Sequence, residues 1–124
     1  MSLKHRILVI DDDLGIGDMM KLILEFNEYS VIVSEKADET ENFIIENDIE
    51  VVILDMLISG VNGTEVCKRI RNNADTKISE IPILMMSALH DAVTKCKQAG
   101  ANDFIAKPFD MDHLIQKVNF LVKS

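Results

Sequence analysis

Asp11, Asp12, Asp55, Ser87 and Lys107 are the residues whose types and placement can do chemistry. Each follows a short apolar run. Arg6 to Ile10 leads into Asp11-Asp12-Asp13, Val51 to Leu54 into Asp55, Ile81 to Met86 into Ser87, and Phe104-Ile105-Ala106 into Lys107-Pro108. Unbroken apolar runs of this length read as strands buried on both faces of a parallel sheet. Ligands of open α/β sheets bind beyond the carboxyl ends of such strands. Several carboxylates crowded on one rim repel one another, which raises a pKa or recruits a cation. Mg²⁺ suits a site of carboxylates, waters and phosphate oxygens. With a lysine and a hydroxyl beside them, these acids suit phosphoryl transfer, in which positioning and charge neutralisation do most of the catalysis. An aspartate can itself be the nucleophile and form an aspartyl phosphate.

The elements that must position these groups alternate along the whole chain. After the first strand, Ile16, Met19, Met20, Ile23 and Phe26 recur at helical spacing, and Asp13 can cap that helix. Ser30 to Ser34 predicts a second strand, and Ala37 to Asn47 a helix carrying Thr40, Phe43 and Ile44 on one face. Asn62 can cap a third helix bearing Val66, Cys67 and Ile70. Ala92, Val93, Cys96 and Ala99 predict a fourth that Gly100 can end. Met111, Leu114, Ile115, Val118 and Val122 predict the fifth. Five βα units in succession predict an α/β fold, a doubly wound, flavodoxin-like parallel sheet of order 2-1-3-4-5 with five helices. That order brings the ends of strands one, three, four and five together.

Composition bounds the rest. The 124 residues, 48% of them hydrophobic, suit one domain spanning residues 1–124. Aromatics are 5%, so aliphatic side chains and the seven Met must fill the core. A formal charge of −8 with no basic patch argues against direct nucleic-acid binding. No stretch approaches the roughly 20 apolar residues of a membrane span, and no secretory leader is visible. Cys67 and Cys96 lack the spacing of a zinc site or a disulfide framework, which fits a reducing cytoplasm. His5, His90 and His113 are not spaced as metal ligands.

Four pieces together carry a family resemblance: Ile7-Leu8-Val9-Ile10 before Asp11-Asp12, Leu54-Asp55, Met86-Ser87-Ala88, and Lys107-Pro108-Phe109. From Arg6 to Val122 the chain resembles the receiver domain of two-component response regulators. The resemblance implies that Asp55 is phosphorylated by a sensor histidine kinase or a phosphotransfer protein. It also implies that Mg²⁺ is held by Asp12, by Asp11 largely through water, by Asp55 and by the backbone carbonyl of Leu57. Ser87 and Lys107 would contact the phosphoryl group, and Ser87 and Phe104 would act as the switch. A cis peptide before Pro108 is implied as well. The output would be an effector domain or a homodimer, through the face formed by the fourth helix, fifth strand and fifth helix. The family often carries Pro four residues after the aspartate, where this chain has Ser59, whereas Gly63 matches the loop's closing glycine.

Blander readings exist for each residue alone. An Asp pair can cap a helix, a Ser can serve a turn, and a Lys can be a surface charge. Gly15-Ile16-Gly17 lacks the rest of a nucleotide fingerprint and reads as helix-start plasticity. Two other functions compete. An aspartyl-nucleophile phosphatase would need a general acid just after Asp55, where Met56 and Leu57 stand. A phosphorylation-independent dimerisation module usually lacks an acid or the lysine, and none is lacking here. The expectation is therefore a phosphoacceptor and not an enzyme, with at most slow self-dephosphorylation. The resemblance implies that the side chains two residues past Asp55 and Ser87 orient the attacking water, and here these are Leu57 and Leu89, which can neither donate nor accept a hydrogen bond. The domain would stand alone or form part of a longer regulator.

Overall fold

The computed structural model describes residues 4–58, 60–88 and 92–123. Its main sheet contains β1 (Arg6–Ile10), β2 (Ser30–Ser34), β3 (Val51–Asp55), β6 (Ile83–Ser87) and β7 (Asp103–Ala106), all parallel, in the order β2-β1-β3-β6-β7. This is the 2-1-3-4-5 order expected for five successive βα units. The helices are α1 (Leu14–Phe26), α2 (Thr40–Glu46, preceded by one 3₁₀ turn), α3 (Gly63–Arg71), α4 (Thr76–Ser79), α5 (Ala92–Ala99) and α6 (Met111–Lys123). The short α4 adds to the five expected. Asp75 caps it through Lys77 N (2.9 Å), and its one apolar anchor, Ile78, is buried. A small antiparallel hairpin, β4 (Leu57–Ile58) and β5 (Val61–Asn62), also escaped the periodicity, because two-residue strands carry no pattern.

Both faces of the sheet are covered. Ile7, Val9, Ile53, Leu84 and Ile105 pack under α1 and α6, while Leu8, Ile10, Leu54, Ile83 and Met85 pack with residues of α2, α3 and α5. That is why the central strands read as continuous apolar runs rather than alternating ones. α1 departs from expectation. Its buried residues are Gly17, Met20, Ile23 and Leu24, while Met19 and Phe26 are exposed. Gly17 has a packing reason, since a Cβ there would lie 2.7 Å from a methyl of Val33 on β2. The helix therefore sits close to the sheet on its Gly17-Met20-Leu24 stripe and turns Phe26 outward. Val93 of α5 and Met111 of α6 likewise face solvent.

The far ends of α3, α4 and α5 are joined by one guanidinium. Arg71 Nε donates to Gly100 O (2.8 Å), Nη1 to Ser79 O (2.9 Å) and Ile81 O (2.7 Å), and Nη2 to Asn102 Oδ1 (2.8 Å). Asn102 Oδ1 also accepts from Ile83 N at 2.8 Å, the first residue of β6. Gly100 has φ +103°, and a Cβ there would meet the Arg71 stem at 2.8 Å. Arg71→Ala should leave these half-buried oxygens short of donors and cost about 2–4 kcal/mol. Arg71→Lys should recover little of it, because an ammonium cannot span the fork. Urea denaturation of the three proteins measures this.

Candidate functional site

The site is the carboxyl rim of β1, β3, β6 and β7. Asp11 directly follows β1 and is fully buried, with its amide bonded to Ser34 O at 3.1 Å. Asp55 ends β3 opposite Met86 of β6, so Ser87 stands one residue further along the same rim. Lys107 follows β7, and its amide donates to Ser87 O at 2.8 Å. The peptide between Lys107 and Pro108 is cis, as the resemblance implied.

Lys107 Nζ lies 3.2 Å from Asp11 Oδ2 and 3.2 Å from Asp55 Oδ2, bridging the two acids. Their remaining oxygens accept backbone amides: Asp11 Oδ1 from Asp13 N (2.9 Å) and Asp55 Oδ1 from Met56 N (2.8 Å). Asp12 is exposed at the mouth, and one oxygen from each of Asp11, Asp12 and Asp55 lies within 4.8 Å of the others. Three hard oxygen donors at that spacing, balanced by one ammonium, fit a divalent oxygen-seeking ion such as Mg²⁺. Asp13 is the N-cap of α1, accepting from Gly15 N (3.0 Å) and Ile16 N (3.2 Å), which is the bland role expected of it.

Burial and the neighbouring Asp11 carboxylate raise the pKa of Asp55, against a smaller opposite pull from Lys107 and the Met56 amide. Burial pulls Lys107 down, yet Asp55 and Asp11 outweigh it and raise its pKa. The site therefore favours a charged lysine and resists a further uncompensated negative charge.

The loop after Asp55 is shaped by Gly63, whose amide donates to Met56 O at 2.6 Å; a Cβ there would lie 2.2 Å from the Asp55 carbonyl oxygen. Asn62 caps α3 through Thr64 N at 2.9 Å. Leu57 opens the hairpin with a 63% exposed side chain. Ser59 and Leu89 lie outside the described residues. Ser87 is buried, and Phe104 is half-buried against the cluster that holds Leu54, Met56 and Met85. Cys67 and Cys96 are buried free thiols. The cleft above the rim measures about 670 Å³, and among its walls is Lys95 of α5, which sequence reasoning passed over. A signal existed: Ala92, Cys96 and Ala99 are the buried stripe of α5, so Lys95 borders that stripe.

Residues 7–119 match the family described as the response regulator receiver domain. The chain belongs to that family. It is therefore a receiver domain of two-component signal transduction. This receiver is 33% identical over 121 residues to the response regulator MprA of Mycobacterium sp. (strain KMS), covering 95% of this chain and 50% of that protein. It is 32% identical over 120 residues to the DNA-binding dual master transcriptional regulator RpaA of Synechocystis sp., covering 95% of this chain and 49% of that protein. The chain thus spans about half the length of the curated relatives it matches. A candidate response regulator from Chloroflexus aurantiacus J-10-fl superposes with TM-score 0.89 at 32% identity, over 98% of this chain and 99% of that one. No helix among the described residues is long and apolar enough to cross a membrane.

Two outcomes follow for the metal-free receiver. Mg²⁺ taken up by the native site and not by the unfolded chain should, at one hundred times its Kd, add about 2.7 kcal/mol, a rise of several degrees in Tm. Asp55→Asn in EDTA should melt above wild type at neutral pH. The raised Asp55 pKa makes its charged form a burden on the fold: its favourable contribution is present below the ordinary carboxylate pKa and lost as pH rises through the raised one. The gap between the two proteins should therefore close as the pH is lowered below the carboxylate range. Calorimetry across pH measures both.

Proposed function

We propose that this receiver works in the cytoplasm and accepts a phosphoryl group on Asp55 from a phosphohistidine of a sensor histidine kinase or phosphotransfer protein. The observation that carries the reading is the Lys107 ammonium, 3.2 Å from both Asp11 and Asp55 at the strand-end rim. An Asp55 carboxylate oxygen attacks phosphorus. The P–N bond breaks and its electron pair stays on that ring nitrogen, while the other ring nitrogen of the phosphohistidine already carries a proton, so a neutral imidazole leaves. Lys107 stays beside the acceptor and pairs with phosphoryl oxygens, and the Ser87 hydroxyl takes another. Asp11, Asp12, Asp55 and the Leu57 carbonyl would hold Mg²⁺, which when bound offsets charge on the transferring oxygens. The buried Met56 and the apolar Leu57 leave no general acid after Asp55, which speaks against a turnover phosphatase.

The readout would be a population shift. Ser87 moves toward the phosphoryl group, Phe104 fills the space released, and the α5–β7–α6 face changes its affinity for an effector domain or a second copy. Acetyl phosphate with Mg²⁺ should add one phosphoryl group to wild type and none to Asp55→Asn by intact mass. Equal labelling of both overturns the assignment.

Decay of the phosphoryl group should be slow, because Leu57 covers the approach beside Asp55 with a side chain that cannot position water. Leu57→Asn should shorten the lifetime severalfold under the same Mg²⁺. An unchanged lifetime would show that Leu57 does not limit the water.

A further inference from the structure

Lys95 of α5 lines the cleft that holds Asp55, Ser87 and Lys107. It is exposed, and no acidic partner for it occurs among the described residues. Lys36 pairs with Glu39 and Lys68 with Glu65, while Lys4, Lys21, Lys77 and Lys97 are exposed like Lys95 with no ion pair among the described residues; what sets Lys95 apart is its place on the wall of the cleft. Lys107 already bridges Asp11 and Asp55, and once Asp55 carries the phosphoryl group its single charge must serve both Asp11 and the phosphoryl oxygens.

Charge conservation then sets a requirement. Asp11, Asp12 and Asp55 bring three negative charges, which Lys107 and one divalent ion match. Phosphorylation turns the Asp55 carboxylate into a neutral acyl linkage and adds a group of about −1.5 to −2. The cluster is left with up to roughly one excess negative charge in a cleft partly screened from water. Among the described residues, Lys95 is the one further cation on the walls of that cleft.

We propose that Lys95 is a phosphoryl-binding residue: its ammonium closes onto the phosphoryl group of Asp55 and so ties α5 to the phosphorylated state. This rests on the assignment of Asp55 as acceptor. A lysine suits the task, as a compact charge on a flexible four-carbon stem that costs nothing in the unphosphorylated state, where it stays solvated. The contact gives α5 a pull from the site that does not pass through Ser87 and Phe104. Because α5 packs against α3 and β7, that pull bears on the same face as the switch.

Beryllofluoride with Mg²⁺ is the probe, since it occupies the place of the phosphoryl group on an aspartate. Its affinity is measured by NMR titration for wild type, Lys95→Gln, Lys95→Arg and Lys97→Gln, with phosphoryl lifetime after acetyl phosphate followed by intact mass. Lys97→Gln removes an equal charge from the same exposed helix away from the cleft and serves as the control. A partly exposed charge pair shifts an equilibrium by about two- to fivefold. Lys95→Gln should weaken beryllofluoride by that factor and shrink the shifts of the α5 amides, whereas Lys95→Arg and Lys97→Gln should behave as wild type. If Lys95→Gln matches Lys97→Gln in affinity and in α5 shifts, the proposal is overturned while the assignment of Asp55 stands. If wild type neither binds beryllofluoride nor becomes labelled, that assignment falls and this proposal with it.

Discussion

The bridge from Lys107 to Asp11 and Asp55 is the interaction on which the rest of the site depends. Two carboxylates, one of them fully buried, approach the same ammonium within 3.2 Å. Without that charge, burial and mutual repulsion would favour protonation of an acid over the anionic pair. With it, one ammonium serves both acids, and Asp11 is further held by the Asp13 amide. Asp12, at the exposed mouth, completes a set of oxygens that a divalent ion can join.

The fold supplies the bridge with rigidity. β1, β3, β6 and β7 are adjacent or nearly so and in parallel register, so their last residues reach one rim with little freedom. Apart from Arg6, the side chains of β1, β3 and β6 are buried or nearly so, and the cleft opens beyond the strand ends over Asp55, Ser87 and Lys107. The loops then refine the placement. Gly63 lets the Asp55 backbone pass where any Cβ would collide, and the Lys107 amide fixes the β7 loop to Ser87. At the opposite end, Arg71 closes the helix termini, so the sheet is held from both sides of the core.

Much of this was legible in the residues. The apolar runs of β1, β3 and β6 are long and β-branched or aliphatic enough to name the strands, and the acids after β1 and at the end of β3, with Ser87 at the end of β6, named the rim. Asp13 and Asn62 as caps, and Gly100 as a helix end, were also readable, because their chemistry is local. What escaped was set by tertiary packing. Met19 and Phe26 fit the helical period of α1 but lie outside the stripe that Gly17 brings against Val33. The β4–β5 hairpin and α4 are too short to leave a period. Lys95 and Arg71 looked like ordinary surface cations, and only their surroundings distinguish them: a cleft for one, four backbone and side-chain oxygens for the other.

If the bridge is the organising interaction, the stability effects of its members cannot be independent. The decisive measurement is a double-mutant cycle in metal-free buffer at neutral pH, by urea denaturation, on wild type, Lys107→Met, Asp55→Asn and the double variant. Lys107→Met alone should be clearly destabilising, since it strands two carboxylates. Adding Asp55→Asn should restore part of the loss, with a coupling of about 0.5–3 kcal/mol, as found for residues in contact. Strictly additive effects, with no coupling between Lys107 and Asp55, would contradict the account.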